Sequence, residues 1–397
     1  MNDLSSQAET KTRRAFITPE RIGVSLLFLM NGFMIGAWAP KIPEFAARLE
    51  LSEKSLGVMI LIFGLGSIVM MPIAGSQIAR FGSSIVSKVT AVLLTPTLLL
   101  LSLIGSVWSG AVALFLFGGL IGAMDVAMNA NAVATEKGMR RAIMSSCHAF
   151  WSLGGLLGAS TGGFLLERIG VLPHALFVTV VAAVMIAVAW KMVLQDAPHP
   201  EERAAGAGRR LPSSPLPWLL GIMALFCMIP EGSILDWGAL YMRNELSASL
   251  TLSGFAFAAF SFTMAAMRFA GDLIRDRFGA VNTLRVCGVI AMLGMLTIGF
   301  ATSSTMAIAG FAIAGIGISN IVPILFSAAG NLPGMAAGVS LSVVTTMGYS
   351  GILVAPSAIG FIAEHTGLGS IFAGLSVLIL VTLLLSNLAR HADGAHH

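Results

Sequence analysis

The chain has 397 residues, of which 56% are hydrophobic and only 11% are charged, and its mean hydropathy is +0.88. Soluble domains carry about 25% charged residues, so this composition indicates a polytopic membrane protein. No strand-like alternation is sustained along the sequence, which favours spanning helices over a barrel. The basic residues behind the net charge of +4 are scattered between apolar runs, so we expect no nucleic-acid partner.

Twelve apolar runs follow a polar and basic lead, residues 1–20, which we expect to be cytoplasmic. The first run begins at Ile22 and ends without a small-residue cleavage site, so we interpret it as an uncleaved span. Spans of about 20 residues are predicted at 22–40, 55–77, 84–104, 110–134, 142–165, 172–193, 216–241, 249–270, 281–301, 306–328, 335–360 and 368–389.

The longest connection between spans, residues 195–214, divides the chain near its middle and contains Pro198, Pro200 and Pro212. We interpret it as a cytoplasmic linker between two six-helix bundles, residues 21–194 and 215–390, with a cytoplasmic tail at 391–397. The predicted fold is therefore an all-α membrane protein of twelve transmembrane helices in two bundles. One chain holds both bundles, so a monomer suffices.

The distribution of lysine and arginine predicts the orientation, because these residues concentrate in cytoplasmic loops. With the N-terminus inside, 18 of the 23 fall on the cytoplasmic side. The outside then keeps only Lys41, Arg48, Lys54, Arg168 and Arg243. Both termini are thus expected in the cytoplasm of a bacterial inner-membrane protein.

The two halves resemble each other at a nearly constant offset. Four matches in order support a duplicated six-helix unit: residues 79–82 with 276–279, residues 163–170 with 360–367, Asp125 with Asn320, and Trp38 with Trp237.

A carboxylate interrupts the fourth predicted span, where Asp125 and Asn129 lie within the apolar residues 118–134. A charge at the bilayer centre costs about 3 kcal/mol or more, so such a residue faces water, a partner or a substrate. A helix places Asp125 and Asn129 on one face, which Gly118 and Gly122 continue. We predict that Asp125 takes and releases a proton, the alternative being a structural carboxylate bonded to neighbouring hydroxyls.

Two further acids, Glu231 and Asp236, lie in the seventh span. Pro230 and Gly232 flank Glu231 and predict an interrupted helix beside a site. Five helical residues turn by about 500°, so the two acids cannot share a face. Both are proton-coupling candidates, with Asp236 alternatively pairing with Arg243 or Lys41 near the outer surface.

Polar and aromatic residues within the spans are candidates for binding a solute. Each has a structural alternative: a paired amide in the helix core, an interfacial histidine, or an outer aromatic belt. The candidates are Asn31, Trp38, Asn129, His148, Trp151, Trp237, Asn320 and Tyr349. Asn320, with Pro323, is expected to break the tenth span.

Charged residues at the predicted cytoplasmic ends of the second and eighth spans are gate candidates, because they can pair with helix ends and with each other. They are Arg80, Asp272, Asp276 and Arg277. Ala79 stands where the first repeat would carry the equivalent of Asp276, which predicts a weaker latch in the first half.

These motifs resemble the major facilitator superfamily over the whole chain, and within it the fucose-permease-like sugar–proton symporters and a related group of bacterial inner-membrane proteins. The resemblance is carried by Pro43 with Gly57, by residues 125–129, 150–154 and 271–279, and by a degenerate copy of the last at 79–82. It implies that Asp125 is a proton-coupling carboxylate. The family's acid before the first-span proline is replaced here by Ala39, a departure that bears on the substrate and on proton stoichiometry.

The function that we predict is secondary active transport of a small, polar, sugar-like solute coupled to protons. Alternatives are a proton-antiport exporter of drugs or metabolites on the same fold, and a membrane sensor that binds without transporting. The sequence shows no nucleotide-binding loop, metal cluster or catalytic triad, so we expect neither an enzyme nor a metal site. Cys147, Cys227 and Cys287 lack metal or disulfide spacing.

Overall fold

A computed structural model describes residues 16–196 and 212–395, and every regular element in these ranges is helical. Eleven helices are long and apolar enough to cross a membrane, or twelve if Leu368–Leu384 and Ser386–Asp393 form one span bent by 54°. The predicted linker lies mostly outside the described residues, as do residues 1–15 of the lead and 396–397 of the tail.

The first half contains six spans. Their bounds are α1 Pro19–Trp38, α2 Glu53–Phe81, α3 Ser83–Leu103, α4 Val107–Met139, α5 Met144–Ile169 and α6 Val171–Ala189. Two short helices, Ala39–Lys41 and Ile42–Arg48, continue α1.

The second half repeats this arrangement. Its bounds are α7 Leu216–Asn244, α8 Leu250–Phe278, α9 Ala280–Gly299, α10 Ser304–Gly330, α11 Ala337–Thr366 and α12 Leu368–Leu384. A 3-10 segment, Ser386–Ala395, follows α12 and is called the C-terminal segment below.

All twelve predicted spans coincide with these helices, and the predicted all-α fold is confirmed. The predicted break in α10 is also present, because its two helical parts, Ser304–Ile318 and Ile321–Gly330, are separated at Asn320. The predicted interruption of α7 is wrong, since this helix is continuous through Pro230. A proline removes one backbone donor, and the remaining ladder is sufficient to carry the helix past it.

The internal repeat is visible in the backbone at the start of α3 and of α9. Gly82 and Gly279, which are 197 residues apart, precede these helices with φ of 87° and 78°. Asp196 accepts hydrogen bonds from the first backbone N–H groups of α3, and Asp393 accepts one from the first of α9, again 197 residues apart. The two halves therefore cap equivalent helices in the same way.

The contacts define two ends of the molecule. The chain-terminal end contains Arg21, Ser83, Asp272 and the C-terminal segment. The opposite end contains Lys41, which donates to Ser102 and to the Val171 carbonyl. Membrane helices alternate direction, so consecutive spans run between these two ends.

Small residues let the spans of the first half approach closely. A Cβ atom on Gly32 of α1 would lie 2.0 Å from the Trp151 carbonyl oxygen of α5. Likewise, a Cβ on Gly118 of α4 would lie 1.9 Å from the Phe63 carbonyl oxygen of α2. These contacts fix α1, α4 and α5 around the polar residues at the centre of the bundle.

Candidate functional site

Asp125 lies in the middle of α4 and is only 3% exposed. Its Oδ2 atom has no hydrogen-bond partner among the described residues. The carboxylate interacts with the Tyr349 hydroxyl of α11, in the other half of the molecule. Asp125 is therefore a buried acid with an unused oxygen at the seam between the two bundles.

One helical turn from Asp125, Asn129 connects the backbone of Asp125 to His148 of α5. The Asn129 side-chain amide donates to the Asp125 carbonyl at 2.8 Å, and its oxygen lies 3.2 Å from Nε2 of His148. The imidazole also contacts the rings of Phe28 and Phe326, which belong to different halves. The predicted common face of Asp125 and Asn129 is thus present and continues onto α5.

Asn31 of α1 is buried and holds the indole of Trp151. Its side-chain oxygen accepts from Nε1 of Trp151 at 2.9 Å, and its amide donates to the Ile121 carbonyl at 3.2 Å. Both members of this pair were sequence candidates. The pair is uncharged and meets α4 at Ile121, one helical turn before Asp125.

The second half contributes an ion pair that the sequence analysis missed. Arg268 of α8 is 4% exposed and lies 3.3 Å from Glu231 of α7. It also donates to the Ser152 hydroxyl of α5 at 2.9 Å and to the Ser319 carbonyl. The predicted eighth span, 249–270, placed Arg268 near a cytoplasmic helix end, whereas α8 continues for about two more turns to Phe278. A lone arginine inside an apolar run was the available signal.

These residues form what we call the central layer, defined as Asn31, Asp125, Asn129, His148, Trp151, Ser152, Glu231, Arg268 and Tyr349. Its carboxylates are Asp125 and Glu231, and its guanidinium is Arg268. Since Arg268 compensates the charge of Glu231, Asp125 is the carboxylate of the central layer that has no guanidinium partner. Protonation of Asp125 makes the layer electrically neutral.

Four other candidates lie elsewhere. Trp38 is packed between the rings of Phe45 and Phe117, as a core residue of the first half. Trp237 lies against Gly360 of α11, within the second half.

The remaining two also belong to the second half alone. Asp236 is exposed and lies beside α11 at Pro356. Asn320 is buried against Gly271 of α8 and donates to the Met267 carbonyl. Sequence spacing could not separate these residues from the central layer, because helix rotation decides which face meets the other half.

At the chain-terminal end, three carboxylates accept hydrogen bonds from five consecutive backbone N–H groups at the start of α5. Asp276 accepts from residue 142, Glu136 from residues 143 and 144, and Asp272 from residues 145 and 146, at 2.9–3.2 Å. A helix N-terminus favours negative charge. Because Asp272 and Asp276 come from α8, these bonds join the two halves.

Each of these carboxylates also pairs with an arginine. Arg21 lies 3.6 Å from Asp272, Arg141 lies 3.7 Å from Asp276, and Arg275 lies 3.0 Å from Glu136, each pair across the halves. The latch, as we call it, consists of Arg21, Glu136, Arg141, Asp272, Arg275 and Asp276. Of these six residues, Asp272 and Asp276 were gate candidates from the sequence, whereas Arg21, Glu136, Arg141 and Arg275 were not identified.

The other two gate candidates point away from the latch. Arg80 and Arg277 are exposed, and their guanidiniums lie over the rings of Phe81 and Phe278. In the pseudo-symmetric contact between α2 and α11, Gly75 packs on Gly338 and on the hydroxyl of Ser342, at the position where α8 has the charged Asp272. The weaker latch of the first half stays a prediction.

The fold and the polar seam between two six-helix bundles are those of a membrane carrier. The Major Facilitator Superfamily model matches residues 24–356 and 237–395, so the chain belongs to this superfamily. Its members are non-enzymatic carriers, and the protein is accordingly a multi-pass membrane transporter.

Similar proteins extend over nearly the whole chain. An uncharacterised MFS-type transporter of Yersinia pestis is 35% identical, covering 94% of this chain and 97% of its own. Membrane protein MosC of Rhizobium meliloti is 32% identical, covering 94% and 90%. The structure also resembles the Escherichia coli fucose:proton symporter, with a TM-score of 0.76 at 16% identity, covering 95% and 99%. It also resembles the human organic anion transporter MFSD10, with a TM-score of 0.73 and 16% sequence identity; the match covers 93% of this chain and 100% of that one.

Proposed function

We propose that the protein is a proton-coupled secondary transporter that takes up a small, neutral, polar solute of the sugar class across the bacterial inner membrane. The observation that carries this proposal is Asp125: a buried carboxyl with an unused oxygen, at the seam, beside uncharged hydrogen-bonding groups. The fold is also that of two sugar–proton symporters, for fucose and for xylose, although at low identity.

The charges of the central layer support a neutral solute. An unpaired buried charge is unfavourable in a low-dielectric interior. One proton on Asp125 removes that charge, and a neutral solute adds none, so the loaded carrier can change conformation without moving a bare charge. Asn31, Trp151, Asn129 and Ser152 offer the amide, indole and hydroxyl groups that recognise sugar hydroxyls.

Alternating access follows from the position of these groups between the halves. Asp125 and Tyr349 touch across the seam, and Arg268 bonds Ser152 across it. Solute binding replaces such contacts by contacts of its own, so occupancy biases the equilibrium between open and closed states. With the termini in the cytoplasm, the latch closes the cytoplasmic side of the state described here.

The test is solute-evoked pH change in proteoliposomes that contain a pH-sensitive dye. A panel of neutral sugars and polyols, with charged sugar acids and amino sugars as matched counterparts, is added outside. We expect a neutral member to carry protons into the lumen, and protein-free liposomes to give no signal. Proton exit on solute entry would overturn symport in favour of the antiport exporter.

Three other outcomes would also contradict the proposal, wholly or in part. Solute entry without any proton signal would make the protein a facilitator. Binding without flux would make it a sensor on the same scaffold. Preference for a charged counterpart would contradict the neutral substrate class while leaving proton coupling standing.

A further inference from the structure

The C-terminal segment makes polar contacts with the latch. Neither the superfamily motif nor the sequence pattern predicts these contacts. Arg275 pairs with Glu136 of the first half through Nη1 at 3.0 Å. Through its other nitrogens it reaches the C-terminal segment, donating to the Ala392 carbonyl and lying 3.6 Å from Asp393. One guanidinium thus bridges the opposite half and the end of the chain.

Asp393 is itself held in place by the second half. Its Oδ2 atom accepts from the backbone N–H of Ala280 at 2.8 Å, at the start of α9, while its Oδ1 atom faces Arg275. Arg285 of α9 also bonds Ser386 and Asn387 in the segment. The segment is therefore held against α9 at its first two residues and again at Asp393, the residue that meets Arg275.

The same segment is buried against α10, which also takes part in the cross-half contacts. Ala389 and Ala392 are fully buried. Ser327 of α10 donates to Glu136 and accepts from Arg275. Glu136, Arg275 and Ser327 form one buried network, and the C-terminal segment closes its outer side.

The first half contains a natural comparison. Asp196 caps α3 as Asp393 caps α9, but Ile78 occupies the position equivalent to Arg275. The cap is therefore common to both repeats, whereas within residues 16–196 and 212–395 an ion pair from the cap to a cross-half arginine is present in the second repeat alone. If Asp393 served only to cap α9, as Asp196 caps α3, its ion pair with Arg275 would be unnecessary.

We infer that the C-terminal segment is a working part of the latch, in which Asp393 is a positioning residue that holds Arg275 against Glu136. Opening at the chain-terminal end separates Arg275 from Glu136 and leaves the arginine with the segment. Weakening the hold of Asp393 on Arg275 therefore favours the open state. This inference rests on the alternating access of the proposed function, but not on the identity of the solute or on protons.

The experiment measures distances between spin labels on the full chain in lipid nanodiscs, without any solute. Labels are placed through Lys191→Cys in the first half and Asn282→Cys in the second, two exposed positions at the chain-terminal end and outside the latch. The native cysteines Cys147, Cys227 and Cys287 are buried. Opening at this end lengthens the distance between the labels.

We expect Asp393→Asn, which keeps an acceptor for the Ala280 N–H but loses the charge, to raise the ratio of open to closed molecules about fivefold. Asp393→Glu should restore most of the closed population. The matched control, Asp196→Asn, removes the same charge from the equivalent cap and should leave the ratio unchanged.

Equal effects of Asp393→Asn and Asp196→Asn would overturn the inference and reduce Asp393 to a helix cap. An unchanged ratio in Asp393→Asn would also overturn it. Because the measurement needs neither solute nor a proton gradient, a failure of the proposed transport would leave this result interpretable.

Discussion

At the scale of single residues, the central layer separates two acids by their surroundings. Glu231 has a guanidinium partner, whereas Asp125 has a hydroxyl and an unused oxygen. A neighbouring guanidinium stabilises the charged form of a carboxylate, whereas burial without a cation favours the protonated, neutral form. We therefore propose that Asp125 is the proton-coupling residue and that Glu231 keeps Arg268 in place. A coupling role for Asp236 stays a prediction.

The pair of Arg268 and Glu231 can be tested by its effect on stability. Arg268→Met leaves Glu231 without its cation, and removing one partner of a buried ion pair costs about 3 kcal/mol. Adding Glu231→Gln removes the stranded charge, so the double variant should recover part of the loss. Thermal unfolding in detergent measures both, with Arg277→Met, an exposed guanidinium, as the control. A double variant less stable than Arg268→Met would contradict the assignment.

The sequence identified Asp125, Asn129, Asn31 and Trp151 as separate candidates, because a polar side chain in an apolar span is itself a signal. It could not place Trp38 or Asn320, whose side chains make their contacts inside one bundle. Arg268 and Glu136 were missed because both lie near predicted span ends, where one or two helical turns decide between loop and core.

At the scale of helices, the close approach of α1 and α5 sets the distance between Asn31 and Trp151. Gly32 is required there because any Cβ would meet the Trp151 carbonyl. The span boundaries and the break at Asn320 followed from hydropathy and turn chemistry. The continuity of α7 did not, since neighbouring helices compensate for the donor that Pro230 lacks.

We expect Gly32→Ala to lower the folded yield and the thermal midpoint, because α1 must move away from α5. Gly374→Ala is the matched control: Gly374 lies in α12 with open space around its Cβ direction. Alanine is a better helix former by about 1 kcal/mol, so this control should be neutral or stabilising. Fluorescence-detected size-exclusion chromatography on heated samples compares them. Equal midpoints for the two variants would refute the close-packing argument.

At the scale of the whole molecule, the two repeats share their helix caps but not their interfaces. The contact of α8 with α5 is ionic, with carboxylates on a helix N-terminus, whereas that of α2 with α11 is packed through Gly75 and Gly338. The degenerate motif at Ala79 indicated this asymmetry from the sequence. The full latch could not be predicted, because Glu136 and Arg275 become partners only when the halves meet.

Asp276→Asn should slow transport several-fold while leaving solute affinity within about twofold, since Asp276 lies in the latch and not in the central layer. Uptake rates and tryptophan-fluorescence titrations, with the solute that the proteoliposome panel identifies, measure the two quantities separately. A retained rate with weakened binding would assign Asp276 to the solute site instead.

The most direct test of the account compares uphill accumulation with exchange in Asp125→Asn proteoliposomes. Wild type should concentrate labelled solute when a pH gradient is imposed. Asp125→Asn, whose side chain stays neutral, should lose accumulation and retain exchange of labelled for unlabelled solute at equal concentrations. Glu364→Gln, which removes an exposed acid of α11, serves as the control and should accumulate normally. Accumulation by Asp125→Asn at the wild-type level would contradict the claim that Asp125 couples protons to transport.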